Sequence, residues 1–524
     1  MKRKIRRILE ARKRKMERRL LKALEQDGER PTLKASNIQY ELAERNNAIG
    51  HGGIGLAHLV TRQVGLDREI DKRVEVLKIH APYHESDHVL NIAYNSLCGG
   101  TTLDDIELRR NDTAHLDALG AESIPDPTTA GDFCRRFDES DIEALMAGIN
   151  AARLKVWQQQ PPEFFARASI DADGSMVETL GECKQGMDIS HNGIWGYHPL
   201  VVSLANTQEP LFILNRSGNR PSHEGAPEYF DAAIALCREA GFREVLLRGD
   251  TDFSLTKNFD RWDADEVKFV FGFDAKKNMI ARAEEVEEYW ELERRAARVL
   301  KTQLRERPTN VKEQIVVERE FKNLRLKSEE VAEFEYKPTK CNRSYRVVVV
   351  AKNISVEKGE QVLFDEIRYF FYITNDRRMK TKEVVRQAGQ RCNQENLIAQ
   401  LKSGVRALHA PVNTLNANWA YMVMAALSWS IKAWMALLLP ITPRWRERHK
   451  QERERLLRME FRKFAQAMIQ VPCQIVKTGR RIIYRLLGSN SWQPVFFRCG
   501  PERLRMDAGA WTTLAWRWWP EHAG

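Results

Sequence analysis

From residue 35 to about residue 165 the apolar positions recur every three or four residues. In "ESDHVLNIAYNSLCGG", "TTLDDIELRRND" and "DESDIEALMAGINAARLKVW" this spacing predicts helices, because residues three and four apart share one helical face. Between them "DPTTAGDFCRRF" follows the turn-forming "PDP", and Thr129 with Asp132 predicts a capping box at a helix start. At Ala166 the period shortens. "ARASIDADGSMVETL", "YHPLVVSLANT", "PLFILNR", "EVLLRGDTDF" and "VKFVFGFDA" are rich in Val, Ile, Leu and Phe and bounded by Gly, Pro, Asn and Asp, which predicts strands. An amphipathic helix, "APEYFDAAIALCREAG", separates the third from the fourth.

Three meandering strands, a helix and two more strands are the order of the first half of a ribonuclease H-like α/β fold. After Lys277 the charged stretch "EEVEEYWELERRAARVLKTQLRER" predicts a helix, with Trp290 as its core anchor beside Val286, Tyr289, Leu292 and Ala296. A strand-rich stretch with "SYRVVVVAKN" follows. "IRYFFYITND" then predicts a strand leading into a helix, "QRCNQENLIAQLKSG". The expected organisation is a basic N-terminal helix (1–34), a helical DNA-binding region (35–165), the first part of the core (166–279), an insertion domain (280–360), the second part of the core (361–440) and a basic C-terminal helical region (441–524). The last includes "RWRERHKQERERLLRMEFRKF" and "KTGRRIIYRLLG".

A chain of 524 residues exceeds what one core usually organises. Its net charge of +11 favours a polyanionic partner. Residues 1–22 concentrate that charge, with twelve Lys or Arg against two Glu; such a helix gains affinity for DNA by releasing counterions, without sequence specificity. The eight cysteines are scattered, with no Cys-x-x-Cys pair and no nearby Cys/His spacing, so neither a zinc site nor a disulfide framework is expected. The N-terminus lacks the apolar core of a signal peptide. The apolar run Trp419 to Pro440 contains Lys432 and several Ser and Trp residues, which predicts a buried helix rather than a membrane span. A reducing cytosol is the expected location.

Four carboxylates change the picture. Asp171 and Asp173 lie two apart on one predicted strand, so both project to one face. Their repulsion is relieved if cations fill the space between them. Asp250 follows the apolar run "EVLLR" at a strand's C-terminal end, where α/β folds place their sites. Glu395 comes from the late helix, where ~100° per residue puts Arg391, Glu395 and Lys402 on one stripe. An Asp, Asp, Glu set suits two Mg²⁺ ions, with Mn²⁺ able to substitute. Each part alone has an ordinary explanation, such as a turn cap for Asp250 or a surface ion pair for Arg391 and Glu395. Asp252 is a rival to Asp250. The ordered conjunction carries the reading.

Through "CGGTTLDDIELRRND", "DPTTAGDFCRRF", "IDADGS", "GYHPL", "RGDTDF" and "RCNQENLIAQLKSG", over about residues 90–440, the chain resembles DDE transposases of bacterial insertion sequences. It is most similar to the insertion-sequence group numbered 1380. That family's helical signature is Tyr, two residues, Arg, three residues, Glu, six residues, Lys; Arg391, Glu395 and Lys402 match it, and Ala388 stands at the Tyr position. The resemblance implies metal ligation by Asp173, Asp250 and Glu395, with Asp171 as the alternative first ligand. It implies that Arg391 and Lys402 hold phosphates of the transposon end, and that a dimer works on paired ends. The implied activity is cut-and-paste transposition in the bacterial cytoplasm, on nucleoid DNA. The partners are the terminal inverted repeats and target DNA, with no membrane. Two other readings stand beside it: a transposase-derived DNA-binding protein that no longer cuts, and a ribonuclease H-like repair nuclease, which has no need of the long basic arms.

Overall fold

The structure, a computed structural model, describes residues 47–292, 311–478, 481–488 and 490–499, with short pieces before residue 41. Most of the basic segment 1–34, residues 293–310 of the charged stretch, and residues 500–524 lie outside the described residues.

A two-residue strand β1 (Ala48–Ile49) precedes the helices α1 (Ile54–Val64), α2 (Glu85–Leu97), α3 (Thr113–Leu119), α4 (Pro127–Cys134) and α5 (Glu139–Trp157). The starts of α3, α4 and α5 are fixed by carboxylates that accept orphan backbone N–H groups. Asp112 caps α3, and Asp138 forms a capping box with Asp141 at α5. At α4 the cap is Asp126, not Thr129. Pro127 presets the first turn, Asp126 accepts the Thr129 N–H at 2.9 Å and the Thr129 hydroxyl at 2.7 Å, and the expected Thr129–Asp132 box is displaced by three residues.

The chain then enters a nine-stranded mixed sheet. Its first part comprises β2 (Arg167–Gly174), β3 (Leu200–Leu204), β4 (Glu209–Leu214), the helix α6 (Ala226–Ala240), β5 (Glu244–Gly249) and β6 (Lys268–Phe273). β2, β3 and β4 form an antiparallel meander, while β5 and β6 lie parallel to β2 on its other side. The sheet goes on through β7 (Trp290–Glu291), β8 (Lys322–Tyr336), β9 (Tyr345–Lys358) and β10 (Gln361–Thr374), with β10 antiparallel to β6. The spatial order is β7-β8-β9-β10-β6-β5-β2-β3-β4. The strands expected in an insertion therefore extend the central sheet at its β6 edge. Trp290, expected inside a helix as a core anchor, sits on the edge strand β7 opposite Val331 and is 48% exposed. Val286 and Tyr289 take the core-facing positions there.

After β10 come α7 (Thr381–Gly389), α8 (Cys392–Ala399), a π-turn at Gln400–Gly404 and α9 (Leu415–Leu437). α9 is long and apolar enough to cross a membrane, yet it is wholly buried within the protein, packed by α1, α2, α4, α5 and β4. Its polar groups are satisfied internally, as burial demands. Lys432 donates to the Leu457 carbonyl at 2.9 Å and lies over the Trp429 ring. The fully buried Glu209 of β4 accepts from Arg153 Nε at 3.0 Å, Trp157 Nε1 at 3.0 Å and Trp434 Nε1 at 2.8 Å, tying α5, the sheet and α9 together.

Beyond α10 (Arg446–Leu457) the expected basic helices give way to a hairpin, β11 (Cys473–Thr478) with β12 (Arg481–Leu486), and β11 pairs with β1. The β-branched residues of "QIVKT" and "RII" suit strands better than the helix their basic character suggested.

Candidate catalytic site

β2 and β5 run parallel with Asp171 directly opposite Arg248. Register alone therefore puts these two side chains on one face, and they form a buried two-pronged pair, Nε to Oδ1 at 2.7 Å and Nη2 to Oδ2 at 2.8 Å. Burial pushes the Asp171 carboxyl up, opposed by Arg248. Arg248 Nη1 also donates to the side-chain oxygens of Gln387 at 3.0 Å and Gln390 at 3.2 Å. Both Asp171 oxygens are thus engaged by a guanidinium that anchors the end of α7. Asp171 does not join the free carboxylates, and its expected place among metal ligands is not where the fold puts it.

Asp173, two residues nearer the strand's C-terminal end, reaches a different cation. Arg391, at the start of α8, places Nη1 3.3 Å from Asp173 Oδ2 and 3.5 Å from Asp250 Oδ2, and Nη2 3.5 Å from Glu395 Oε1. Three carboxylates from β2, the turn after β5, and α8 thus converge on one guanidinium. Asp250 is held by its own turn, accepting the Asp252 N–H at 3.1 Å, so Asp252 serves Asp250 through its backbone. α8 is fastened to the sheet by the buried Gln394, which donates to the Val201 carbonyl at 2.8 Å and accepts from Ser203.

Burial is the main cause that pushes Asp173 up to about 6; Asp250 and Glu395 add to it, and Arg391 opposes it. Burial likewise raises Asp250, with Asp252 and Glu395 adding to it. A cluster of hard oxygen donors under-neutralised by one monovalent cation is the donor chemistry that divalent ions such as Mg²⁺ require. The residues fit metal ions at the position that Arg391 now fills.

With this geometry in view, comparison with known proteins gave a decisive match: the family model described as transposase DDE domain, group 1, fits residues 35–506. The chain belongs to this family of DDE transposases. Such enzymes act on DNA by cleavage and transposition, and generally use divalent metal ions. The comparison with curated proteins returned no match. Among solved structures the chain is similar to a piggyBac transposase in a synaptic complex with hairpin DNA, solved by electron cryo-microscopy. The identity is 11% and the TM-score 0.35, over 79% of this chain and 86% of that one. A likeness of that degree adds nothing to the family assignment.

The transposase departs from the expected stripe at its far end. Arg391 and Glu395 do lie together, but the π-turn widens the helix before Lys402 and shifts the 100° phase. Lys402 is half-buried, lowered by desolvation, and forms no ion pair with another described residue. It lies within electrostatic reach of His198, whose Nε2 packs against Gly174 beside Asp173. Ala388, at the signature's Tyr position, packs on Leu246, Val270, Val348, Met379 and Val384. Sequence reasoning missed Arg248, Gln387, Gln390, Gln394 and His198. Arg248 had a signal, standing two residues before Asp250 in a predicted strand. The glutamines had none, because their partners come from β3 and β5.

Proposed function

We propose that this transposase performs cut-and-paste transposition, nicking each transposon end by hydrolysis and joining the freed 3′-hydroxyl to target DNA by in-line transesterification at the same site. The observation that carries this reading is the convergence of Asp173, Asp250 and Glu395 on one guanidinium. Those three carboxylates would hold two Mg²⁺ ions. Bound there, the ions supply Lewis-acid activation of the attacking oxygen and charge stabilisation at the leaving oxygen. Arg391, displaced from the carboxylates, presents its planar fork to a backbone phosphate, the geometry in which arginine binds phosphate best. Lys402 adds charge to the same strand's path. The Arg248–Asp171 pair keeps β2, β5 and α7 in fixed register beneath them.

The fold reading that goes with this is a ribonuclease H-like core, supported by the β4-β3-β2-β5-β6 order with β5 and β6 parallel to β2. Residues 35–165 and the basic segments 1–34 and 441–524 would bind the terminal inverted repeats, and a homodimer would hold two ends together. We place the enzyme in the insertion-sequence group numbered 1380, in the bacterial cytoplasm on nucleoid DNA, on the Arg391, Glu395 and Lys402 spacing. The test is cleavage of a duplex carrying the inverted repeats that flank the reading frame. Wild-type protein nicks it in Mg²⁺, whereas Asp173→Asn, Asp250→Asn and Glu395→Gln bind it without nicking. Wild-type binding with no nicking in Mg²⁺ or Mn²⁺ would leave a non-cleaving DNA-binding derivative instead.

A further inference from the structure

Three buried side chains far from the carboxylates converge where three helices meet. His51 lies between β1 and α1, Cys98 caps the C-terminus of α2, and His115 sits in the first turn of α3. They are 6%, 6% and 2% exposed, and one donor atom from each lies within 4.8 Å of the other two. His51 Nε2 and His115 Nδ1 are 2.9 Å apart.

We propose that His51, Cys98 and His115 form a structural zinc site that fastens the β1–β11–β12 sheet to the helical region. Two imidazoles and a thiolate are a borderline-soft donor set that suits Zn²⁺ and not the oxygen-seeking Mg²⁺ of the carboxylate site. A tetrahedral centre with bonds of ~2.0–2.3 Å separates its donors by roughly 3.3–3.8 Å. The imidazole pair, at 2.9 Å, is tighter than that, and all three donor atoms lie within 4.8 Å of one another.

Arg109 donates Nη2 to the Cys98 carbonyl at 2.9 Å, and its buried Nε has no hydrogen-bond partner. Cys473 is not one of the three clustered donors. Cys473 of β11 places its Sγ where a Cβ on Gly52, the neighbour of His51, would stand. A hydrogen-bonded histidine pair alone has no use for a thiol beside it. Sequence spacing gave no sign of this site, because its donors come from separate elements.

The test is metal analysis and cobalt spectroscopy on the full-length protein. Purified wild type should carry about one zinc per chain. After chelation, Co²⁺ should produce a near-ultraviolet thiolate-to-cobalt band, which carboxylate ligation cannot give. Cys98→Ser should lose that band, and His115→Ala should lose the zinc. Asp173→Asn should keep both. If either ligand variant fails to fold, the wild type still decides, since zinc should raise its melting temperature after chelation. Wild type with no zinc, no thiolate band and no zinc-dependent melting would overturn the proposal, as would a band that persists in Cys98→Ser.

Discussion

Replacing Asp171 by asparagine removes a charge from a side chain 1% exposed and leaves its partner Arg248, 2% exposed, uncompensated. Breaking one side of a buried pair costs ~3–5 kcal/mol. Asn keeps the shape and one acceptor, and Arg248 retains Gln387 at 3.0 Å and Gln390 at 3.2 Å. The expected loss is therefore at the lower end, ~3 kcal/mol, which is roughly a hundredfold in the folding equilibrium. The paired change Asp171→Leu with Arg248→Met should recover most of it, because a well-packed apolar pair replaces a buried ionic one at little cost. Asp173→Asn should do the opposite of Asp171→Asn. Relieving like charge from Asp250 and Glu395, it should leave stability equal or higher. The assay is urea unfolding followed by the fluorescence of the buried Trp157, Trp262 and Trp434, with Mn²⁺ titration calorimetry on the same samples. If Asp171→Asn unfolds like wild type but loses Mn²⁺ affinity, Asp171 is a ligand and the structural role assigned to it is wrong.

The raised Asp173 gives a pH dependence of definite sign. Its carboxyl moves from 3.8 to about 6 on folding, so the folded state binds the proton more tightly. Its contribution is full below about 4 and lost as pH rises through about 6. Metal-free protein should accordingly lose stability across that window and Asp173→Asn should lose less, since Asp250 and Asp171 are raised as well; an equal slope in both would refute the assignment. Arg391→Ala should tighten Mn²⁺ binding by roughly tenfold, because partly exposed ion pairs each worth up to ~1 kcal/mol no longer compete, while weakening binding to transposon ends. Looser Mn²⁺ binding would show that Arg391 supports the metal site rather than fills it. Deleting residues 1–22 should weaken binding to all duplexes alike and flatten its salt dependence; loss confined to the cognate end, seen in competition titrations, would contradict a phosphate-only role.

The strands around the site could be read from the chain because their patterns are local. "EVLLRGD" ends in an acid at a strand terminus, and "IDADG" alternates, so Asp173 and Asp250 could be placed without a partner in view. Arg391 and Glu395 needed only one helical turn. What failed was whatever depended on a second element. Asp171 and Asp173 share a face and look equivalent, but only the parallel register of β2 and β5 sets Arg248 against one of them. The π-turn after Ala399 depends on packing against α11 (Phe461–Phe464), where the Gln400 side chain accepts the Phe461 N–H at 2.9 Å. Trp290 followed a helical spacing that the β8 edge overrode, and the β11–β12 hairpin carried enough Arg and Lys to pass for a basic helix.

The join between β1 and β11 also sets a schedule for synthesis. Ala48 and Ile49 leave the ribosome early, yet their strand partners, Gln474 and Cys473, are among the last described residues to be made. Until then the β1 edge stays open, and Gly52 and Gly53 lack the backbone of Val471 and Ile469 to which their N–H groups donate, both at 2.9 Å. A chain stopped before residue 473 would contain Asp173, Asp250 and Glu395 but not this closure. Limited proteolysis of such fragments should cut around residues 47–53, where longer chains resist. Messages broken late in translation would then yield protein that is degraded rather than half-formed enzyme loose on the chromosome.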